Sequence, residues 1–168
     1  MFTAQRLKYV DEYYFSKKMR EINSHISSGR PIINMAIGSP DLSPSEEVKK
    51  ALSESIDHQR SSMYQSYIGL PELREAFSNF YNKQYGVEIN PRDEILPLMG
   101  SKEGVMLISM AFLNKGDGVL IPNPGYPTYR AVSKLLGAEI LNYNLSEENN
   151  WYPKMDDLNT LDTKNIKL

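Results

Sequence analysis

The chain has 168 residues, 40% of them apolar and 24% charged, with a net charge of −2 and no cysteine. That length suits one ordinary domain with a real core. The slightly acidic balance argues against nonspecific nucleic-acid binding, which needs a basic surface, and the missing thiols exclude disulfides, thiolate metal sites and cysteine nucleophiles.

Residues 5–28 read as a helix, with Leu7, Val10 and Tyr14 at helical spacing and Met19, Ile22 and Ile26 resuming it. Gly29-Arg30-Pro31 supplies the stop, glycine past the last turn and proline beyond. After the apolar stretch Ile32 to Ile37 comes the turn Gly38-Ser39-Pro40-Asp41. Ser43-Pro44-Ser45-Glu46 should open a second helix, with Ser43 as cap, Pro44 in the first helical position and Glu46 closing a capping box. Val48, Ala51, Leu52 and Ile56 form its apolar face. Tyr64 to Leu70 is a loop, and Pro71 opens a third helix with Leu73, Phe77 and Phe80 inward.

From Ile95 the pattern alternates. Ile95 to Met99 reads as a short buried strand despite Pro97, which cannot donate to a ladder. A helix over 101–113, a strand over 119–122, a helix over 127–136 and a strand over 140–143 follow. A loop with a short helix at 154–158 leads to Ile166-Lys167-Leu168, the opening of another strand. This β-α-β-α-β order indicates an α/β sheet with crossover helices. The helix after Gly100 is apolar nearly all round (Val105, Met106, Leu107, Ile108, Met110, Ala111, Phe112) and calls for burial on several sides. Few other elements are available to bury it, so the chain reads as incomplete.

Four segments could carry chemistry. Gly100-Ser101-Lys102-Glu103-Gly104 follows a strand and opens a helix, where free amides and the helix dipole attract an anion. Ser101 adds a hydroxyl, Lys102 a charge, and Gly100 lets a phosphate approach the backbone. Ordinary helix capping with an exposed lysine explains the same residues. Neither a Walker A spacing nor a G-x-G-x-x-G fingerprint is present. Pro122-Asn123-Pro124-Gly125-Tyr126-Pro127-Thr128-Tyr129 also joins a strand to a helix. Loops of that kind lie at the carboxyl ends of parallel strands, where ligands bind. Its prolines would stiffen Tyr126 for stacking on a flat cofactor, or merely make a rigid turn. Tyr64 to Arg74 and Gly38 to Asp41 are loops by default. The histidines, His25 and His58, stand at no metal-ligand spacing. No apolar run is long enough to span a bilayer, and the N-terminus is too polar for a signal peptide. A cytoplasmic protein is expected, with no membrane or nucleic-acid partner.

In this order IINMAIGSPD, YQSYIGLPELREAF, ILPLMGSKEGVMLI and GDGVLIPNPGYPTY resemble the class I/II aminotransferases, fold type I of the pyridoxal phosphate enzymes. The resemblance runs from about Gln5 onward, and EYYFSKKMREI is similar to the diaminopimelate and aspartate aminotransferase-like branch. It implies the N-terminal part of a cofactor-binding large domain, with residues 1–45 an N-terminal helix and lead-in segment and 46–168 the partial large domain. By resemblance, Gly100, Ser101 and Lys102 hold the cofactor's phosphate, Tyr126 stacks on its ring, and Tyr64 reaches the phosphate in the partner subunit of a homodimer. The resemblance also implies that Gly38 lies near the substrate carboxylate. Pyridoxal phosphate serves such enzymes as an electron sink in moving an amino group from an amino acid to a 2-oxo acid. The Schiff-base lysine falls beyond Leu168 in the family pattern, so the chain alone should be inactive. Two other readings remain: a noncatalytic module for a phosphorylated ligand or partner, and a lyase or decarboxylase with the same cofactor.

Overall fold

The structure, a computed structural model, describes residues 2–58 and 61–168. Six α-helices and two strands are present among them: α1 Tyr14–Ser27, α2 Glu46–Ile56, α3 Pro71–Tyr85, α4 Ser101–Phe112, β1 Gly118–Asn123, α5 Pro127–Leu136, β2 Glu139–Asn144 and α6 Met155–Asn159. The chain divides into two units, residues 1–37 with 100–168 and residues 38–99.

The first unit is built on β1. It pairs in parallel with β2, Gly118 opposite Glu139 through Asn123 opposite Asn144. Parallel neighbours cannot be joined by a tight turn, so the chain crosses over through α5, which packs on both strands. On the other edge of β1 the last residues begin the strand expected from the sequence. Gly118 N donates to Asn165 O, Lys167 N to Gly118 O and Leu120 N to Leu168 O, each at 2.8 Å. The core is small: Leu113, Val119 and Ile121 are buried, with Leu136, Ala138 and Ile140 packed against them. Local chemistry fixes α5 at both ends, with Pro127 in its first turn and Gly137 at its C-terminus with φ +75°.

The expected helix over 5–28 is broken. Gln5–Tyr9 is a 3-10 turn, residues 10–13 run without helix, and α1 starts only at Tyr14. The turn packs on α5, so tertiary contact overrides the helical spacing of Leu7, Val10 and Tyr14. The C-terminus of α1 is as expected: Gly29 N donates to Ile26 O at 2.9 Å and Arg30 N to His25 O at 3.1 Å, the paired bonds of a Schellman turn. The apolar helix α4 packs on α5. It nevertheless leaves Leu107, Ile108, Met110 and Phe112 exposed, at 44–64% of their full areas.

The second unit carries α2 and α3. The cap of α2 is Ser45, whose hydroxyl accepts from Val48 N at 3.4 Å, not Ser43; Pro44 stands before the cap, and Glu46 pairs with Lys49 at 2.7 Å. Ile95 to Met99 is not a strand. Pro97 has no N–H to give a ladder, and its ring fills the space beside Gly69. Leu73, Phe77 and Phe80 of α3 are 40–51% exposed and not inward, because no described element covers that face. What holds the unit is polar. Arg74 is buried and donates from Nη1 to the carbonyls of Pro91 at 2.8 Å and Arg92 at 3.0 Å, while Ser78 donates to Ile89 O at 2.6 Å. Together they bind the segment after α3 back along the helix.

Replacing Arg74 with methionine leaves both carbonyls without their charged donor and should cost about 2–4 kcal/mol. Hydrogen exchange of the α3 amides should accelerate accordingly. Exchange as slow as in the wild type would mean that the clamp contributes nothing.

Candidate functional site

Helix α4 opens at Gly100, whose φ of +101° places it where a side chain is strained. A Cβ there would meet nothing within 4 Å, so the glycine answers to backbone conformation and leaves open space beside the helix end. Glu103 N bonds back to Gly100 O at 3.2 Å. The amides of Ser101 and Lys102 belong to the first turn, which has no carbonyl of its own helix to receive them. Gly100, Ser101 and Lys102 are all exposed.

The loop after β1 is turned tightly. Asn123–Pro124 is a cis bond, and a Cβ on Gly125 would collide with the carbonyl oxygen of Pro122. Only glycine fits that close approach. Tyr126 follows as the residue before α5, its ring edge-on to Tyr129 with centroids 5.7 Å apart. Asn123 and Asn144 join the carboxyl ends of the two strands by a 3.0 Å side-chain bond.

Lys102 and Tyr126 are brought together. The Lys102 ammonium lies 5.7 Å from the centroid of the Tyr126 ring and 4.6 Å from that of Tyr13, both within cation–π reach. The Tyr126 hydroxyl is the first cause that raises the lysine's pKa above the ordinary 10.5; desolvation opposes it, and Tyr13 adds to the upward effect. The lysine therefore stays charged throughout the physiological range. A cleft of about 450 Å³ lies beside the loop, lined among others by Asp11, Tyr13, Tyr126, Arg130 and Lys134. Gly38 and Tyr64 belong to the other unit. Gly38 is exposed with nothing around its Cβ position, and Tyr64 is fully exposed in the loop ahead of α3. Tyr13 is the neighbour that sequence reading missed. Assigned to one long helix, it had no reason to meet Lys102, and the only hint was the aromatic run Tyr13-Tyr14-Phe15.

No group of three or more His, Cys, Asp or Glu suited to a metal occurs among the described residues. Nor is any described helix long and apolar enough to cross a membrane.

An anion-ready helix end beside a proline-stiffened aromatic loop on a parallel sheet is accompanied by a family match: residues 30–167 fit the model of aminotransferase class I and II, and the chain belongs to that family. Among its relatives is the LL-diaminopimelate aminotransferase of Dehalococcoides mccartyi, 36% identical over 156 residues, which make up 93% of this chain and 40% of that one. The Aquifex aeolicus enzyme of the same name is 33% identical over 155 residues, again 40% of its length. An alanine aminotransferase structure from Pyrococcus furiosus superposes with a TM-score of 0.89 at 30% identity, over 98% of this chain and 42% of that one. The chain thus spans about 40% of the length of the curated relatives it matches, and its fold is the α/β arrangement of the fold type I aminotransferases.

The raised pKa fixes a sign. Whatever stability the Lys102–Tyr126 contact contributes is complete below the unfolded lysine value and is lost as pH rises through the higher folded one. A side-chain NMR titration of Lys102 should give a midpoint above 10.5. Tyr126→Phe should bring it back toward that value; a midpoint unmoved by the substitution would rule out the hydroxyl as the cause.

Proposed function

We propose that this chain is the N-terminal part of the cofactor domain of an enzyme that moves an amino group between an amino acid and a 2-oxo acid with pyridoxal phosphate. The observation that carries the reading is the approach of the Lys102 ammonium to the Tyr126 ring, 5.7 Å from its centroid, at the open end of α4. One residue set then offers a charge and backbone amides for a phosphate, and the other an aromatic face for the attached ring. The residues fit the group. Gly100 leaves room for close approach, and the exposed Ser101 hydroxyl and Lys102 ammonium are donors suited to a phosphate.

Bound there, the cofactor would supply an electron sink for charge formed at the amino acid's α-carbon. This chain's residues would bind and orient it. Lys102 stays protonated and would hold a dianionic phosphate as a point charge. The amides of Ser101 and Lys102 would donate to the phosphate with the dipole of α4 behind them. Tyr126 would offer its aromatic face to the ring. Tyr64, by family likeness, would serve the partner subunit's cofactor in a homodimer, and Gly38 would lie near the substrate carboxylate. A cytoplasmic location goes with this reading. The apolar faces left open on α2, α3 and α4 suit a large domain whose other elements lie elsewhere in the enzyme. The relatives' name makes LL-diaminopimelate the first amino donor to try.

The chain by itself should not transaminate, and borohydride should trap no defined lysine in it, Lys102 included. A single trapped lysine in the isolated chain would contradict the assignment. In the complete enzyme, Lys102→Ala and Tyr126→Ala should each weaken cofactor retention roughly ten- to a hundredfold, the equivalent of about 1.4–2.8 kcal/mol, with the fold kept. Unchanged cofactor affinity in both variants refutes the site.

A further inference from the structure

We propose that Tyr13, carried on the extended strap of residues 10–13, is the positioning residue that aims Lys102 at the phosphate. The inference rests on the reading of Gly100–Lys102 given above and adds a residue to it. A lysine in a helix's first turn has four rotatable bonds and ordinarily points into solvent. Lys102, although exposed, has its ammonium 4.6 Å from the centroid of the Tyr13 ring, nearer than it stands to Tyr126.

The strap is fixed from both sides. Val10 has an extended backbone (φ −102°, ψ 110°), and Tyr13, with φ −57° and ψ 122°, is non-helical just ahead of α1. Asp11 pairs with Lys134 of α5 at 3.0 Å. Glu12 meets the Arg20 guanidinium of α1 oxygen to nitrogen at both positions, with Nη2 donating to Oε2 at 2.7 Å. Hydrogen bonding to Arg20 is the first cause that holds the Glu12 carboxyl below its ordinary value. Each exposed pair is weak alone. Acting on consecutive residues, beside a 3-10 turn that already packs on α5, they set the register that presents the ring of Tyr13. Tyr13 is itself 38% exposed, so its ring is no buried core anchor whose removal must unfold the chain.

The test uses the complete enzyme in wild-type, Tyr13→Leu, Tyr13→Phe and Lys102→Met forms. Two quantities are measured: the ring-current shift of the Lys102 ε-methylene protons without ligand, and the affinity ratio of pyridoxal phosphate to unphosphorylated pyridoxal. Tyr13→Leu should abolish the part of the upfield shift due to residue 13 and lower the ratio roughly two- to fivefold, the range of an exposed cation–π contact. Tyr13→Phe keeps the ring face and should preserve both. A ratio untouched by Tyr13→Leu but collapsed by Lys102→Met overturns the positioning role and leaves the phosphate site standing. A ratio untouched by Lys102→Met overturns the phosphate site itself, and the role of Tyr13 with it. Should the leucine variant not fold, the wild-type spectrum decides: Lys102 protons without an upfield shift overturn the proposal.

Discussion

Strand β1 is bonded along both edges, to β2 on one side and to residues 165–168 on the other. A parallel strand in that position has no solvated face to spare, and its burial is nearly continuous from Gly118 to Ile121. The rest of the first unit follows from this. The parallel register demands a crossover, and α5 supplies it. Because α5 begins directly after the turn at Pro124–Gly125, Tyr126 is delivered at the carboxyl end of β1. Because α4 packs on α5, its opening residues come within reach of that tyrosine. The meeting of Lys102 and Tyr126 is thus a product of sheet order, although 24 positions of sequence separate them.

Elements set by local chemistry were legible. Proline in the first turn and glycine after the last bracket α5 so tightly that its expected and observed limits coincide. Both strands fall within two residues of their apolar runs. What could not be read was decided by contacts distant in sequence. Leu7, Val10 and Tyr14 share a helical face in the sequence, but packing of residues 5–9 on α5 takes the first part away and leaves a strap. Ile95 to Met99 has strand composition, yet Pro97 and the approach to Gly69 keep it out of any ladder. At α2 two serines competed for one cap, and only the hydroxyl of Ser45 meets the Val48 amide.

The candidate site divides in the same way. Gly100, Ser101, Lys102 and Tyr126 lie in segments whose sequence states their chemistry: glycine before a helix, a cation in its first turn, an aromatic ring among prolines. Tyr13 carries no such mark. Its place depends on Asp11 and Glu12, which pair with residues 123 and 8 positions away and look like ordinary surface charges in the sequence. Arg74 is similar. It reads as one more polar residue of α3, yet it is buried and holds two carbonyls of a later loop.

The posture of Lys102 has a consequence for when disorder is lost. A free lysine side chain samples many rotamers, and fixing it opposes any process that requires one of them, by up to about 2 kcal/mol. Here two aromatic faces narrow that ensemble while the chain folds. The entropic term then falls on the native state and not on the arrival of an anion. At the proposed phosphate site an anion would then meet a cation whose side chain is already partly confined, and less of its binding free energy would go into freezing a flexible arm.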